Sequence, residues 1–182
     1  MSGVEIRRLS AAEVREQIRP LAEVLCDCVE GGASVRFMAP LSKDEAGAAF
    51  DAVASELESG RRFLLAAFVD GVLVGTVQVL HALPPNQPHR ADIAQLLVHR
   101  SARGRGVGRM LMERAEVEAY RENKTLLVLD TVTGSDAERL YERLGWTKAG
   151  VIPRYALYPD GSPCDTTIFW KELAPPPGPV RE

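Results

Sequence analysis

Residues 93–109 read Ile93-Ala94-Gln95-Leu96-Leu97-Val98-His99-Arg100-Ser101-Ala102-Arg103-Gly104-Arg105-Gly106-Val107-Gly108-Arg109. An apolar run ends in a glycine- and arginine-rich loop, after which Val107, Leu111, Ala115 and Ala119 recur at helical spacing. The expectation is a strand, then a loop that opens a helix. Free N–H groups and the positive end of the helix dipole attract phosphate at such a place. Glycines let the backbone approach phosphate oxygens that a Cβ would keep away. Arg103, Arg105 and Arg109 add positive charge around it. A Walker loop is excluded, because the G-x-x-x-x-G-K-[ST] string is absent. A dinucleotide fingerprint would place its third glycine at Arg109, where a bulky side chain spoils helix–strand packing. The plain alternative is a solvated basic turn that binds nothing.

Working outward, Val4–Leu9 reads as a first strand, and Ser10 with Glu13 forms a capping box for a helix running to Val29. Gly31-Gly32 stops it, and 33–40 has no period and reads as a loop. Ser42 with Glu45 caps a second helix, which Gly60 closes. Phe63–Val69 and Val72–His81 flank Asp70-Gly71, a strong hairpin signal. Beyond the quoted stretch, Thr125–Thr131 reads as a buried strand, Ala137–Leu144 as a helix, and Trp146–Ile152 and Thr166–Leu173 as strands. The order β-α-α-β-β-β-α-β-α-β-β implies an antiparallel meander and a later crossover that makes a parallel pair. This is an α/β (α+β) arrangement: a mixed, mostly antiparallel sheet flanked by about four helices. One domain over 1–173 is expected, with a proline-rich disordered tail at 174–182.

The 182 residues carry 22 basic and 25 acidic side chains, a net charge of −3. That balance argues against a nucleic-acid binder. The apolar runs fall well short of a membrane span of ~18 residues, so no membrane partner is expected. The opening MSGVEIRRLS has no apolar core of a signal peptide, and three cysteines make no disulfide framework, so a cytoplasmic location is expected. Three scattered histidines offer no metal-site spacing, and no metal is expected.

The string R-x-x-G-x-G at Arg103–Gly108 resembles the acyl-CoA pyrophosphate loop of the GNAT (Gcn5-related) N-acetyltransferases. Ile93–Val98 looks like that family's central strand, and Ala137-x-x-x-Tyr141-x-x-x-Gly145-Trp146 is similar to its A-x-x-x-Y-x-x-x-G-[FW] segment. The resemblance covers 4–173 and implies the N-acyltransferase fold of about seven strands, with acetyl-CoA as co-substrate. Gly31–Pro40, Arg90-Ala91-Asp92, Leu129-Asp130-Thr131 and Tyr158-Pro159-Asp160-Gly161 resemble the tabtoxin-resistance acetyltransferases, which acetylate a small amino-acid-like toxin. The chain departs from the family pattern at Arg100, where many members have proline, and at Gly134, where many have asparagine. Asp92 stands where the tabtoxin-resistance group that the chain resembles has glutamate.

Acetyl transfer to an amine needs a base, because a free aliphatic amine with a pKa of ~10 is protonated at neutral pH. Asp130 ends an apolar strand and is the first candidate; a turn-capping role is the alternative. Asp92 is the second, either directly or through a water, or else a surface partner of Arg90. Tyr141 resembles the family's proton donor to the leaving thiolate, or is a core aromatic. The resemblance implies donor-site backbone from Leu97 and Val98 as well as Arg103, Gly104, Arg105, Gly106, Val107, Gly108 and Arg109. Gly32, Ser34, Phe37 and Met38 would form the acceptor wall, or a plain helix–helix connection. The acceptor implied is a small-molecule amine, the attack direct, and the protein a monomer or homodimer. A protein N-terminal or lysine acetyltransferase and a non-catalytic acyl-CoA-binding module remain as alternatives.

Overall fold

A computed structural model describes residues 3–81 and 84–175. The expected tail lies outside the described residues from 176 onward. The elements are β1 Val4–Leu9, α1 Ala11–Glu16, α2 Ile18–Glu30, α3 Lys43–Glu58, β2 Arg62–Val69, β3 Val72–Leu80, β4 Arg90–Val98, α4 Val107–Arg121, β5 Leu126–Val132, α5 Asp136–Arg143, β6 Thr147–Leu157 and β7 Pro163–Glu172. The strands form one sheet in the order β1-β2-β3-β4-β5-β7-β6. Among the described residues only β4 and β5 pair in parallel.

Both capping boxes form. Ser10 Oγ accepts the Glu13 N–H at 3.2 Å, and Ser42 Oγ accepts the Glu45 N–H at 3.2 Å. The expected first helix is broken, so the described residues form five α-helices rather than about four. Gln17 interrupts the helical backbone between α1 and α2. Pro20 explains the break: it has no N–H for the Glu16 carbonyl, and its ring crowds that carbonyl. In the first turn of a new helix the same proline is harmless.

The continuous apolar run in β2 reflects burial on both faces. Phe63, Leu65, Ala67 and Val69 face a core shared with α4 and α5. Leu64, Ala66 and Phe68 face a second core under α1, α2 and α3. Each fully buried leucine contributes about 1.5–3 kcal/mol.

β4 changes faces part-way along. Ala91 and Ile93 lie in the α4 core, whereas Leu97 lies in the α2 core. Thr76 of β3 opposes Leu97 and Gln78 opposes Ala94, so Val77 stands across from both Gln95 and Leu96. One extra residue in β4 is a β-bulge, and it inverts the alternation beyond it. Gln95 has a positive φ of 49°.

Candidate active site

The parallel pairing of β4 with β5 runs only from Arg90↔Leu126 to Asp92↔Val128. Beyond Asp92 the bulged strand leaves its neighbour and a cleft of about 510 Å³ opens. Its walls include Ile93–Leu96 of β4, Asp130–Val132 of β5, Ala137 and Tyr141 of α5, and Tyr155–Leu157 of β6, with the loop 33–38 across the top.

Asp130 and Tyr141 therefore share one space. Tyr141 is buried between Trp146 and Phe169, with ring centroids 6.0 Å away in each case. It belongs to the core and to the cleft lining at once. Its hydroxyl has no hydrogen-bond partner among the described residues. Burial pushes the phenol far above its ordinary pKa, and the negative charge of Asp130 adds to the rise. A phenol so placed keeps its proton at neutral pH.

Asp92 sits where the strands part, does not line the cleft wall, and is paired with Arg90. Burial raises its carboxyl pKa, Arg90 pulls it down, Asp130 pushes it up, and Arg36 pulls it down.

The loop 33–38 is sewn to the opposite wall. Ser34 Oγ donates to the Leu157 carbonyl at 2.7 Å, and the Ala39 N–H donates to the Pro159 carbonyl at 3.0 Å. Ser34, Phe37 and Met38 line the cleft, and so does Arg36, which holds a left-handed backbone at φ 75°. Gly32 is outside the lining; its φ of 85° makes the turn that starts the loop.

At the other end of β4, Gly104 and Gly106 have φ of 73° and 78°, the left-handed region that suits glycine. The first helical bond of α4 runs from the Met110 N–H to the Gly106 carbonyl, which leaves the amides of Val107, Gly108 and Arg109 free at its N-terminus. Gly108 serves packing, since a Cβ there would meet Leu140 of α5 at 3.3 Å. The backbone thus suits an anion.

The arginines are more dispersed than the sequence suggests. Arg103 turns back to donate to the Val98 carbonyl at 3.1 Å and approaches Asp27 at 3.8 Å. Arg109 pairs with Glu113 at 2.7 Å, and Arg105 is exposed. The bulge lies at Gln95–Leu96, just before Leu97 and Val98. The Leu97 side chain is buried under α2, and the Val98 carbonyl accepts from Arg103.

Two buried acids escaped the sequence reading. Asp27 of α2 accepts the Arg100 backbone N–H at 2.8 Å and its guanidinium, and so anchors the turn before the loop. Glu138 of α5 accepts Thr167 Oγ1 at 2.8 Å and the Gly134 N–H, and so fixes the helix that carries Tyr141. Among the described residues no cluster of histidine, cysteine or acidic side chains could hold a metal ion. No described helix is long and apolar enough to cross a membrane.

A model of the acetyltransferase (GNAT) family matches residues 33–146, more than half of the chain and all of the cleft's central elements. The chain belongs to the GNAT acetyltransferase family. As a GNAT acetyltransferase it takes acetyl-CoA as acyl donor. Solved structures agree in fold. An N-acetyltransferase from Staphylococcus aureus Mu50 is 19% identical, with 95% of this chain and 100% of that one covered at a TM-score of 0.79. An acetyltransferase-family protein from Salmonella typhimurium, solved with its cofactor acetyl-CoA, is 22% identical over 100% of both chains at 0.77. A ribosomal-protein-alanine N-acetyltransferase from Brucella melitensis is 20% identical, covering 93% and 99%, at 0.78.

Proposed function

We propose that this GNAT enzyme acetylates the primary amine of a small, amino-acid-like molecule by direct attack on acetyl-CoA. The observation that carries the reading is the cleft at the parting of β4 and β5, where Asp130 and Tyr141 face one volume. A volume of about 510 Å³ lies within the usual range for small-molecule sites. The bonds from Ser34 and Ala39 fasten the loop to the β6–β7 hairpin, and a cleft bounded in this way supports a small acceptor over a protein N-terminus or lysine.

In this scheme the pyrophosphate of acetyl-CoA rests on the free amides at the start of α4, and the thioester reaches the bulge. Asp130 takes a proton from the ammonium, with Asp92 as its partner at the strand parting. The neutral nitrogen attacks the thioester carbon, and the carbonyl oxygen becomes an oxyanion. A backbone N–H left out of the ladder at Gln95–Leu96 is placed to receive it. The C–S bond then breaks, Tyr141 gives its proton to the sulfur, and the attacking nitrogen passes its extra proton to the tyrosinate, which leaves a neutral amide and restores the phenol. In water a phenol is a weaker acid than a thiol, with pKa values of about 10 and 8.5. The thiolate leaves beside the phenol that burial raises, and partial desolvation there raises its proton affinity as well.

The decisive experiment is a panel of small amines, amino acids and peptides, incubated with acetyl-CoA and followed by release of free thiol. Turnover confined to small amines bears the reading out. Turnover of peptides alone would reassign the acceptor to protein, and acetyl-CoA binding without any turnover would leave a binding module.

The donor half is tested separately with Gly106→Val. A β-branched residue fits the left-handed conformation at Gly106 poorly. The affinity for acetyl-CoA, measured by calorimetry, is expected to fall about tenfold, a loss of about 1.4 kcal/mol, while the acceptor KM stays as it was.

A further inference from the structure

A line of polar side chains runs from Arg62 through the apolar layer beneath α1–α3 to Gln95, the bulge residue of β4. Arg62 Nε donates to Glu56 at 2.6 Å, and its terminal nitrogen donates to Gln78 Oε1. Gln78 Nε2 donates to Gln95 Oε1 at 2.6 Å. Gln95 Nε2 donates to the Val35 carbonyl at 3.4 Å. Gln78 is wholly buried, opposite Leu64 in the sheet.

The direction of every bond in this line follows from its first member. A guanidinium only donates. Gln78 must therefore turn its oxygen to Arg62 and its NH₂ to Gln95. Gln95 must turn its oxygen to Gln78, which leaves its NH₂ for a carbonyl. The carbonyl it meets belongs to the loop that walls the cleft, next to Arg36 with its left-handed backbone. A strained conformation of that kind persists only where its surroundings over-determine it. Gln95 is also the bulge residue with positive φ. One buried line thus holds together the bulge in β4 and the loop 33–38.

We infer that Arg62, Gln78 and Gln95 are positioning residues that set the acceptor wall against the bulge, so that an interior bond remote from the cleft governs acceptor binding. This rests on the proposed role of loop 33–38 as the acceptor wall. Arg62 and Gln78 are not among the donor-site residues, whose free amides lie at the start of α4.

Gln78→Met keeps the length of the side chain and removes both of its hydrogen bonds. Its expected signature is an acceptor KM raised five- to tenfold, acetyl-CoA affinity unchanged within twofold, and faster amide hydrogen exchange across residues 35–38. Arg62→Met, which lies farther from the cleft and keeps Gln78, is expected to show the same pattern more weakly. The double variant is expected to be no worse than Gln78→Met alone, because both changes cut one line. A purely structural role would lower the melting temperature and weaken both substrates together, with additive effects. That outcome, or an unchanged acceptor KM in a folded variant, overturns the inference. If Gln78→Met does not fold, Arg62→Met carries the same test. If the wild-type protein acetylates no amine, the proposed function falls by itself, and exchange at 35–38 still decides whether the line holds the loop.

Discussion

Tyr141→Phe is expected to lower kcat by about 10²- to 10³-fold, the range in which a positioned proton donor acts. The affinity for acetyl-CoA, read by calorimetry, should stay within about twofold. The melting temperature should not fall, because the hydroxyl has no bond to lose among the described residues and the ring keeps its contacts with Trp146 and Phe169. Removing an unpaired hydroxyl from an apolar site is neutral or mildly stabilising. A folded, stable protein that binds its donor and turns over slowly would isolate proton donation. A full-rate Tyr141→Phe enzyme with its best acceptor would remove Tyr141 from the mechanism and return it to the core.

Asp130→Asn is the second large effect. The amide has nearly the same shape, accepts a hydrogen bond, and cannot take a proton at neutral pH. kcat/KM for the amine is expected to fall by about 10²- to 10⁴-fold. Raising the pH should recover part of that loss, because more of the amine is then neutral before it binds. The wild-type enzyme should gain less over the same interval. Parallel pH profiles for the two proteins would show that Asp130 does not remove the proton. Asp130 faces solvent at the cleft and is not part of either core, so stability should change by less than about 0.5 kcal/mol.

Much of the fold is legible in residues that act locally. Ser10 with Glu13 and Ser42 with Glu45 mark helix starts because each pair completes its bonds within one turn. Asp70-Gly71 marks a hairpin because its two positive φ angles, 50° and 78°, suit those residue types. The break at Gln17 is less visible, since the stripe of Val14, Leu21, Leu25 and Val29 continues across it onto the same core. The bulge leaves a trace that alternation alone cannot decode: Ile93 is followed by Leu96, Leu97 and Val98, a spacing that fits neither period.

The site was legible where a residue's type limits its use. Asp130 in an apolar strand and Tyr141 on a helix stood out by type, and both line the cleft. Direction was not legible. Arg103 belongs to a basic loop by composition, yet its guanidinium faces inward to Val98 and Asp27. Gln78 and Gln95 are unremarkable in sequence because their partners lie on other strands or in the loop, and nothing near them in the chain announces a meeting with Arg62 or Val35.

The extra residue in β4 has a consequence for how this enzyme can change. The opening at its heart is a matter of chain length, since β4 spends three steps where β3 spends two. No substitution can restore equal counts; that takes a deletion in β4 or an insertion in β3. Such a deletion would send the residues after it to the wrong faces and carry Leu97 out of its core. The side chains around the cleft are therefore free to drift toward new acceptors, while the cleft itself is protected by the stability of the two layers it separates.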